Sequence, residues 1–425
     1  MAGQTYKSAV DIIKNLVTGL ALPEDTSGIL QPEGAMKPLT HLVFWLLLVT
    51  IGSGREVAAE ADASGCVAPS FTFDIKSTLE SCTDLLKDEK LSDADRAKIL
   101  TLRGRSLKID KQFDAAIRDF DAALVLKPDE SKILEMRAWA AVDTRDFETA
   151  DRIVERLLSL DADDATAFNI GGTAAFSKGI YGAAKRLYDK AISLRPNYVL
   201  ARYNRLILYK LTGFHRAVVA EADALLALDN PDLDTLYATL ENKRMTYRTK
   251  TRLERVLIWE TMGLTEEAEK AFADWIAVEP SAVSYGYRAT FHQRRSHHEQ
   301  ALADLDKALA DDPTFWLLHH TQGRVYLYTS RNEDAIRSFT RAIELNPAAG
   351  VSYWARAMAE RRQNRGDAAL RDALKAVAID KGVRLDKITK LSNLGYLQIG
   401  PNDINNPIPA LADAVQACMY DERCW

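Results

Sequence analysis

The sequence lacks most features that mark a membrane-spanning or a nucleic-acid-binding protein. Its 425 residues carry 55 Lys and Arg against 60 Asp and Glu, which gives a net charge of −5. A general nucleic-acid binder would show a basic excess, so we expect no nucleic-acid partner. The most apolar segment, residues 42–51 (LVFWLLLVTI), is short beside the roughly 20 apolar residues of a transmembrane helix.

Residue patterns typical of catalysis or cofactor binding are also missing. No glycine cluster precedes a Lys-Ser or Lys-Thr pair, and no His-Glu-x-x-His motif occurs, since His297-His298-Glu299 has the wrong order. His319 and His320 are adjacent and would point about 100° apart on a helix. The cysteines lack metal-ligand spacing. We therefore expect a non-enzymatic chain with no catalytic residue, no metal and no cofactor.

What the sequence does contain is a repeated pair of amphipathic helical patterns. The first copy runs from Ala97 to Pro128, with small and apolar residues at spacings of three and four. These residues are Leu100, Gly104 and Leu107 in the first helix and Ala116, Phe120 and Ala123 in the second. The small residues suit a close approach of two helices, Phe120 fills the space beyond them, and Pro128 ends the second helix.

This pattern recurs along most of the chain at a nearly constant step of about 34 residues. Marker residues of the copies are Ala138, Ala150 and Val154; Gly172, Ala184, Tyr188 and Pro196; Ala268, Phe272 and Pro280; Ala289, Ala301, Leu305 and Pro313; Gly323, Ala335, Phe339 and Pro347; and Ala357, Ala369 and Ala373. A fourth copy, with Tyr209, Ala217 and Ala224, is expected to lack one residue near Gly213. Between this copy and the next, an insertion lengthens the chain within residues 228–252.

The repeated pattern resembles the tetratricopeptide repeat, a helix-turn-helix unit of about 34 residues. The resemblance implies an all-α, right-handed superhelical solenoid of about eight repeats, in which neighbouring units bury a continuous core. Repeats 1–4 would occupy residues 97–231 and repeats 5–8 residues 249–381. Residues 232–248 would form an insertion or hinge between the two sets.

Residues 36–63 have the pattern of a secretory signal peptide. Lys37 is followed by the apolar residues 42–51 and by a small-x-small sequence at residues 61–63. Because the pattern starts so far into the chain, we expect Met36 to be the true start and residues 1–35 to be an over-long extension. The protein would be periplasmic or secreted. The alternatives are an uncleaved membrane anchor at residues 42–51 or a short buried helix.

The four cysteines, Cys66, Cys82, Cys418 and Cys424, all lie outside the repeats. An exported chain with two cysteines near each end favours disulfides, and we expect the local pairs Cys66–Cys82 and Cys418–Cys424. Four cysteines permit three connectivities, and four free thiols in a cytosolic protein remain the alternative. Residues 64–96 would form an N-terminal capping segment, with Ser92 or Asp93 as the N-cap of the first repeat.

Residues 382–425 are interpreted as a C-terminal capping segment or a degenerate tail. Leu394-Gly395-Tyr396, Gly400 and Asp403 faintly resemble a small peptidoglycan-binding module. Ile404, which stands where that family has Gly, departs from its pattern.

The resemblance to the repeat family places a peptide-binding groove on the first helix of each repeat. In the later repeats the corresponding residues are Arg294, His320, Arg324, Tyr328, Trp354, Arg361 and Arg362. In the earlier repeats they are Arg105, Lys108, Trp139, Tyr203 and Lys210. Guanidinium groups beside aromatic rings suit an acidic or aromatic peptide segment. Some members of the family bind a carboxy-terminal carboxylate with a clamp of Lys and Asn residues. Only Asn204 falls on such a position in this sequence, so we expect the clamp to be missing.

These observations lead to a protein–protein interaction scaffold that binds a peptide or protein segment in its concave groove, in the bacterial envelope. The alternative is a cell-wall-associated module whose tail binds peptidoglycan while the repeats recruit a partner. A third reading is a cytosolic scaffold. Contact with a membrane is expected only through an uncleaved signal segment.

Overall fold

The computed structural model of the chain describes Cys66 and residues 75–235, 245–397, 408–418, 421 and 423. Only the backbone is described for residues 408–410. The predicted extension, the signal segment and Cys424 lie outside the described residues. Of the described helices, none combines the length and the apolar character that a membrane span requires.

The described residues form 19 α-helices and no β-strand, which confirms the all-α prediction. The first ten are α1 (Ile75–Leu85), α2 (Asp93–Ile109), α3 (Phe113–Leu126), α4 (Ser131–Asp143), α5 (Phe147–Leu160), α6 (Ala165–Ser177), α7 (Tyr181–Leu194), α8 (Val199–Leu211), α9 (His215–Leu226) and α10 (Tyr247–Thr261). The others are α11 (Thr265–Val278), α12 (Ala282–Arg294), α13 (His298–Asp311), α14 (Trp316–Tyr328), α15 (Asn332–Leu345), α16 (Gly350–Arg362), α17 (Gly366–Ile379), α18 (Lys381–Asn393) and α19 (Ile408–Ala417).

The helices belong to two compact units, unit 1 up to residue 265 and unit 2 from residue 266. Within unit 1, the pairs α2/α3, α4/α5, α6/α7 and α8/α9 pack as hairpins. Within unit 2, the pairs α12/α13, α14/α15 and α16/α17 do the same. The helices α10 and α11 lie on the two sides of the boundary. The largest cluster of buried apolar residues in unit 1 extends from Leu107 to Ile258, and two smaller clusters include Ala97 with Leu100 and Cys66 with Cys82.

One residue in the left-handed backbone region occurs in the turn inside each hairpin and in the turn between α10 and α11. These residues are Lys111, Arg145, Gly179, Gly213, Gly263, Ser296, Ser330 and Asn364, with φ between 58° and 80°. Most follow one another at the period that the sequence predicts. The interval from Gly213 to Gly263 is longer, because the insertion, which includes a 3₁₀ turn at Pro231–Asp234, falls there.

The fourth repeat corrects one detail of the sequence prediction. Gly213 follows Gly179 by one full period, so no residue is missing near it. The fully buried residues of α9 are Val218, Ala222 and Leu225. Ala217 and Ala224, on which the prediction relied, are only half-buried. The alanine pattern was misleading because here Val and Leu occupy the positions that Ala takes in the other repeats.

The close approach of paired helices occurs where the small residues predict it. A Cβ atom added at Gly104 would lie 2.7 Å from the ring of Phe120, which is fully buried. Added at Gly323, it would lie 2.6 Å from the ring of Phe339. The aromatic ring of the second helix therefore occupies the space that the absent side chain leaves.

Ion pairs at a fixed spacing also join the two helices of several hairpins. The guanidinium of Arg103 donates two hydrogen bonds of 2.7 Å to Asp119 on the following helix. Arg288 donates two hydrogen bonds of 2.7 Å to Asp304, and Arg356 donates hydrogen bonds of 2.6 and 2.9 Å to Asp372. Bidentate pairs of this kind fix the orientation of both partners. They were not predicted, although the recurrence of an Arg and an acid at one fixed separation is visible in the sequence.

At the amino-terminal end of unit 1, α1 packs against α2. Cys82 of α1 is buried and forms a disulfide with Cys66. The side chain of Ser92 accepts a hydrogen bond from the backbone N–H of Asp95, so Ser92 is the N-cap of α2. This end of the array is covered by α1, whose role as a cap was expected from the sequence.

At the carboxyl-terminal end of unit 2, α18 and α19 pack against α17. Their buried residues Leu391 and Leu411, and Cys418 just after α19, share an apolar cluster with α17. Tyr396, one of the residues that resemble the peptidoglycan-binding module, packs partly against this cluster. Cys418 is disulfide-bonded, and its predicted partner Cys424 lies outside the described residues.

Candidate functional site

The candidate site of unit 2 is built on the first helices of its repeats. In unit 2, α12 contacts α14 and α14 contacts α16, whereas the second helices α13, α15 and α17 make no comparable contact in the described part of that unit. The first helices therefore lie on the narrower side of this stack. We call the exposed surface of α12, α14 and α16 the inner face of unit 2. All seven groove residues predicted for the later repeats belong to these three helices.

His320 lies at the junction of α14 and α16 and is 8% exposed. Its Nδ1 is 3.0 Å from the hydroxyl of Ser352, a fully buried residue of α16. Burial and, to a smaller extent, the charge of Arg324 lower the pKa of His320 to about 4. The imidazole is therefore neutral at pH 7 and holds two repeats together, instead of presenting a charge to a ligand.

Arg324 differs from the other cations of the inner face. It follows His320 by one helical turn and its side chain is half-buried. Among the described residues it makes no hydrogen bond or ion pair, and its charge acts on the neighbouring His320. A partly desolvated guanidinium without a carboxylate partner is a strong site for an anionic group.

The other predicted arginines already have partners. Arg362 donates a hydrogen bond of 2.6 Å from Nη1 to the backbone carbonyl of Leu327, which links α16 to α14. Arg294 is exposed and Arg361 is half-buried, and both make interactions with other parts of the chain. Arg324 is therefore the guanidinium of the predicted set that is most available to a ligand.

The two predicted aromatic residues have different environments. Trp354 is 7% exposed, and the Nζ of Lys387 on α18 lies 4.4 Å from its ring centroid. Its ring thus forms part of the contact with the carboxyl-terminal cap. Tyr328 is 59% exposed and stacks on His298, with the ring planes 9° apart. Only Tyr328 can offer an aromatic surface to a ligand.

A small hollow lies between α12 and α14, beside these residues. It is lined by Val283, Gly286, Tyr287, Thr290, Phe315, Leu317, Leu318 and Thr321. Leu317 is 37% exposed, and Val351 of the next repeat is 42% exposed. Val283, Leu317 and Val351 are each the second residue of their helix, so they form an apolar row across three repeats. This row was not predicted, although the same apolar position in successive repeats is a signal in the sequence.

The corresponding lysines of unit 1 are paired with acids of the following repeat. The Nζ of Lys108 lies 2.9 Å from Oδ2 of Asp143, and the two side chains are only 9% and 5% exposed. Burial raises the pKa of Asp143, against the attraction of Lys108. The Nζ of Lys210 lies 2.5 Å from Oε2 of Glu254, whose side chain is 2% exposed. Both lysines therefore act between repeats and present no free charge.

The remaining predicted residues of unit 1 are mostly internal. Trp139 and Tyr203 are almost fully buried, and the Tyr203 ring packs edge-on against Tyr247 with centroids 5.1 Å apart. Asn204 donates to the side chain of Asn169 at 3.1 Å, which joins two first helices. Arg105 is half-buried and has no partner among the described residues, and burial lowers its pKa.

Comparison with known proteins identifies the repeats. The family model described as "Tetratricopeptide repeat" matches residues 135–199 and 320–383, one stretch in each unit. These two stretches are similar to tetratricopeptide repeats. The repeat prediction is thereby confirmed, and a tetratricopeptide fold supports a role as a protein-interaction scaffold.

Individual relatives match only in part. Human Superkiller complex protein 3 is 32% identical over 84 residues, which cover 20% of this chain but 5% of that protein. A tetratricopeptide repeat protein from Parabacteroides merdae has 20% identity over 59% of this chain and 92% of its own, with a TM-score of 0.40. A human IFIT1 dimer with m7Gppp-AAAA has 18% identity over 80% of each chain and a TM-score of 0.40. Neither structure is similar enough to indicate a ligand for these tetratricopeptide repeats.

Proposed function

We propose that this protein is a non-catalytic scaffold whose inner face in unit 2 binds a peptide segment containing both acidic and apolar side chains. The observation that carries the proposal is Arg324, a half-buried guanidinium with no carboxylate partner among the described residues. Burial without pairing has a free-energy cost, which a ligand carboxylate offsets by forming a charge-assisted, bidentate hydrogen bond.

The surroundings of Arg324 support an apolar component in the same ligand. Leu317 lies two helical turns before it, at the hollow between α12 and α14, and Tyr328 lies one turn after it. Both side chains are exposed. Leu317 and Arg324 both lie on α14. An extended peptide that crosses this helix can therefore place an apolar side chain at Leu317 and a carboxylate at Arg324.

Binding should be tested with two fluorescently labelled peptides of equal length, one rich in Leu and Glu and the other rich in Leu and Lys. Fluorescence anisotropy with the full chain should show tighter binding of the acidic peptide. Arg324→Gln should weaken that binding about tenfold, since a hydrogen bond to a charged group contributes about 1.5–3 kcal/mol. Added salt should weaken the wild-type complex more than the Arg324→Gln complex.

Arg337→Gln is the matched control. Arg337 is an exposed arginine on the second helix α15 and pairs with Asp334 of the same helix. The proposal requires this variant to bind the acidic peptide like the wild type. Equal affinity for the two peptides, or equal weakening by Arg324→Gln and Arg337→Gln, would refute it.

We further propose that the protein is exported and that both cysteine pairs are oxidised. The proposal is supported by the signal-like pattern of residues 36–63 and by the bonded geometry of Cys66 and Cys82. The intact mass of protein from its native host, with and without reduction before alkylation, tests both parts. We expect the mass of a chain that begins near residue 62 or 64, and alkylation of the cysteines only after reduction. A full-length mass with four freely alkylated thiols would contradict the proposal.

A further inference from the structure

Three side chains with metal-ligating atoms converge in unit 2, and none of them belongs to the predicted groove residues. They are Glu269 of α11, His292 in the last turn of α12, and His297 at the start of α13. One donor atom of each lies within 4.8 Å of those of the other two. The sequence predicted no metal site, because the two histidines are five residues apart and the glutamate belongs to a different helix.

The α12–α13 turn fixes the two histidines relative to each other. The backbone N–H of His297 donates to the carbonyl of His292 at 2.9 Å. Ser296, between them, has a φ of 61°, the left-handed residue of this hairpin. The ring centroids of the two histidines are 5.9 Å apart. The pair is therefore positioned by the hairpin itself, whereas Glu269 approaches from a neighbouring helix.

His292 has a nitrogen that the described structure does not satisfy. Its side chain is buried, with 9% of the residue exposed, and its Nδ1 is inaccessible to solvent and has no hydrogen-bond partner. Its other nitrogen, Nε2, lies 3.8 Å from Oδ2 of Asp304. A buried acceptor or donor without a partner has a free-energy cost of about 1–3 kcal/mol. Such an atom therefore needs an explanation, and coordination of a cation provides one.

The surroundings of His292 match the outer shell of a metal-bound histidine. A ligating histidine commonly directs its second ring nitrogen towards a carboxylate, which orients the ring. Asp304 lies on that side of His292, with its Oδ2 3.8 Å from Nε2 and so beyond hydrogen-bond distance, and it is held by Arg288 through two hydrogen bonds of 2.7 Å. The nearby cation Arg288 is thereby neutralised. Arg295 is directed towards the ring of Phe291, 3.7 Å from its centroid.

We propose that Glu269, His292 and His297 bind a divalent transition-metal ion of the Zn²⁺ class and connect α11 to the α12–α13 turn. Two imidazoles and one carboxylate are a common ligand set for Zn²⁺, which leaves a fourth position for water or an external ligand. Tetrahedral Zn²⁺ places its donors about 3.4 Å apart. The exposed side chains of Glu269 and His297 close the remaining distance by rotation, and their exposure gives the ion access.

The site is tested by titrating Zn²⁺ alone into the full chain, freed of metal and of any affinity tag, in an isothermal titration calorimeter. One saturable site is expected. Glu269→Gln and His297→Gln change exposed residues, and each should weaken the affinity at least tenfold. His215→Gln, which changes a histidine of unit 1 outside the cluster, should have no effect.

Co²⁺ provides a second readout that does not depend on heats of binding. Tetrahedral coordination by two nitrogens and one carboxylate gives visible d–d absorption bands, which should appear in the wild type and in His215→Gln. They should be absent in His297→Gln. The absence of a saturable site, or binding that is unchanged in both Glu269→Gln and His297→Gln, would overturn the proposal.

Discussion

Units 1 and 2 use the same repeat but place their inner cations in different environments. In unit 1, the Nζ of Lys108 lies 2.9 Å from a carboxylate oxygen of Asp143. The Nζ of Lys210 lies 2.5 Å from a carboxylate oxygen of Glu254. In unit 2, the neutral pair His320 and Ser352 joins the first helices α14 and α16. Neither residue of that pair is an acid, and Arg324 beside it has no carboxylate partner among the described residues.

The difference shows that a cation on a first helix has two distinct uses. When the next repeat supplies a buried carboxylate, the charge specifies how the repeats stack. In the other case, the next repeat supplies a neutral residue, as Ser352 does for His320. The charge of the nearby cation, here Arg324, then stays available for a ligand. The helix position alone does not distinguish the two cases, because the deciding residue lies in the following repeat.

The largest expected effect is the loss of a buried acid in unit 1. Asp143→Ala removes the carboxylate that faces the buried ammonium group of Lys108 and should lower the free energy of unfolding by about 3–5 kcal/mol. Urea denaturation followed by tryptophan fluorescence measures this loss. Asp129→Ala, which removes the exposed partner of Arg156, is the control and should cost at most about 1 kcal/mol. Equal effects would show that the Lys108–Asp143 pair is not structural.

Replacing both members of the pair sharpens the same comparison. The double variant Lys108→Met with Asp143→Leu removes both buried charges and keeps similar volume, and such exchanges are often neutral or stabilising. Burial already raises the pKa of Asp143, so its charged form is disfavoured in the folded state. The double variant should therefore be much more stable than Asp143→Ala.

In unit 2 the junction between repeats should instead respond to pH. The pKa of His320 is lowered to about 4 by burial, against about 6.5 in an unfolded chain. Below pH 6.5 the unfolded state binds the additional proton, so stability decreases as the pH falls from 6.5 towards 4. The loss from this group approaches about 3 kcal/mol at its limit.

The pH effect can be assigned to His320 by substitution. Urea midpoints of the wild type should fall between pH 7 and pH 5, and those of His320→Gln should fall less. Burial also lowers the pKa of His292, so a residual slope remains in the variant. An unchanged slope in His320→Gln would show that this histidine does not titrate on unfolding.

The helix packing inside a hairpin should behave alike in both units, which provides a control for the comparison. Gly172→Ala brings a Cβ to 2.6 Å from the ring of Tyr188, and Gly323→Ala does the same against Phe339. Each change should destabilise the protein by about 1–3 kcal/mol, the usual effect of overpacking. Phe339→Leu should partly rescue Gly323→Ala, measured by a double-mutant cycle in urea.

The rescue is suggested by the chain's own repeats. Where the first helix carries Ala289 in place of Gly, the second helix carries the fully buried Leu305 in place of an aromatic residue. If the double-mutant cycle of Gly323→Ala and Phe339→Leu gave no coupling energy, a larger residue on the first helix would not be compensated by a smaller one on the second.

The smallest expected effect is a change in the pKa of His320 when Arg324 is replaced. The charge of Arg324 lowers that pKa, so Arg324→Gln should raise it. Titration of the imidazole signals by NMR measures the shift directly. The control variant Arg337→Gln should leave the signals of His320 unchanged.

The period of the fold could be predicted because each repeat encodes its own packing. Gly104 and Phe120 lie in one hairpin, and the sequence separation of such contacts is fixed by two helices and a turn. The fourth repeat shows where this reasoning fails, since Val218 takes a position where Ala is usual. A fixed spacing survives such exchanges, whereas a fixed residue type does not.

The sequence by itself determined the all-α class, the period of the repeat, the position of the insertion and the helices on which the groove residues lie. Only the tertiary structure decided that Lys108 is paired, that Trp354 is buried under the cap and that Arg324 is left available. It alone brought Glu269 to His292 and His297. The physical reason is that periodicity fixes which face of a helix is buried, whereas charge pairing depends on contacts between repeats, made by side chains that vary from one repeat to the next.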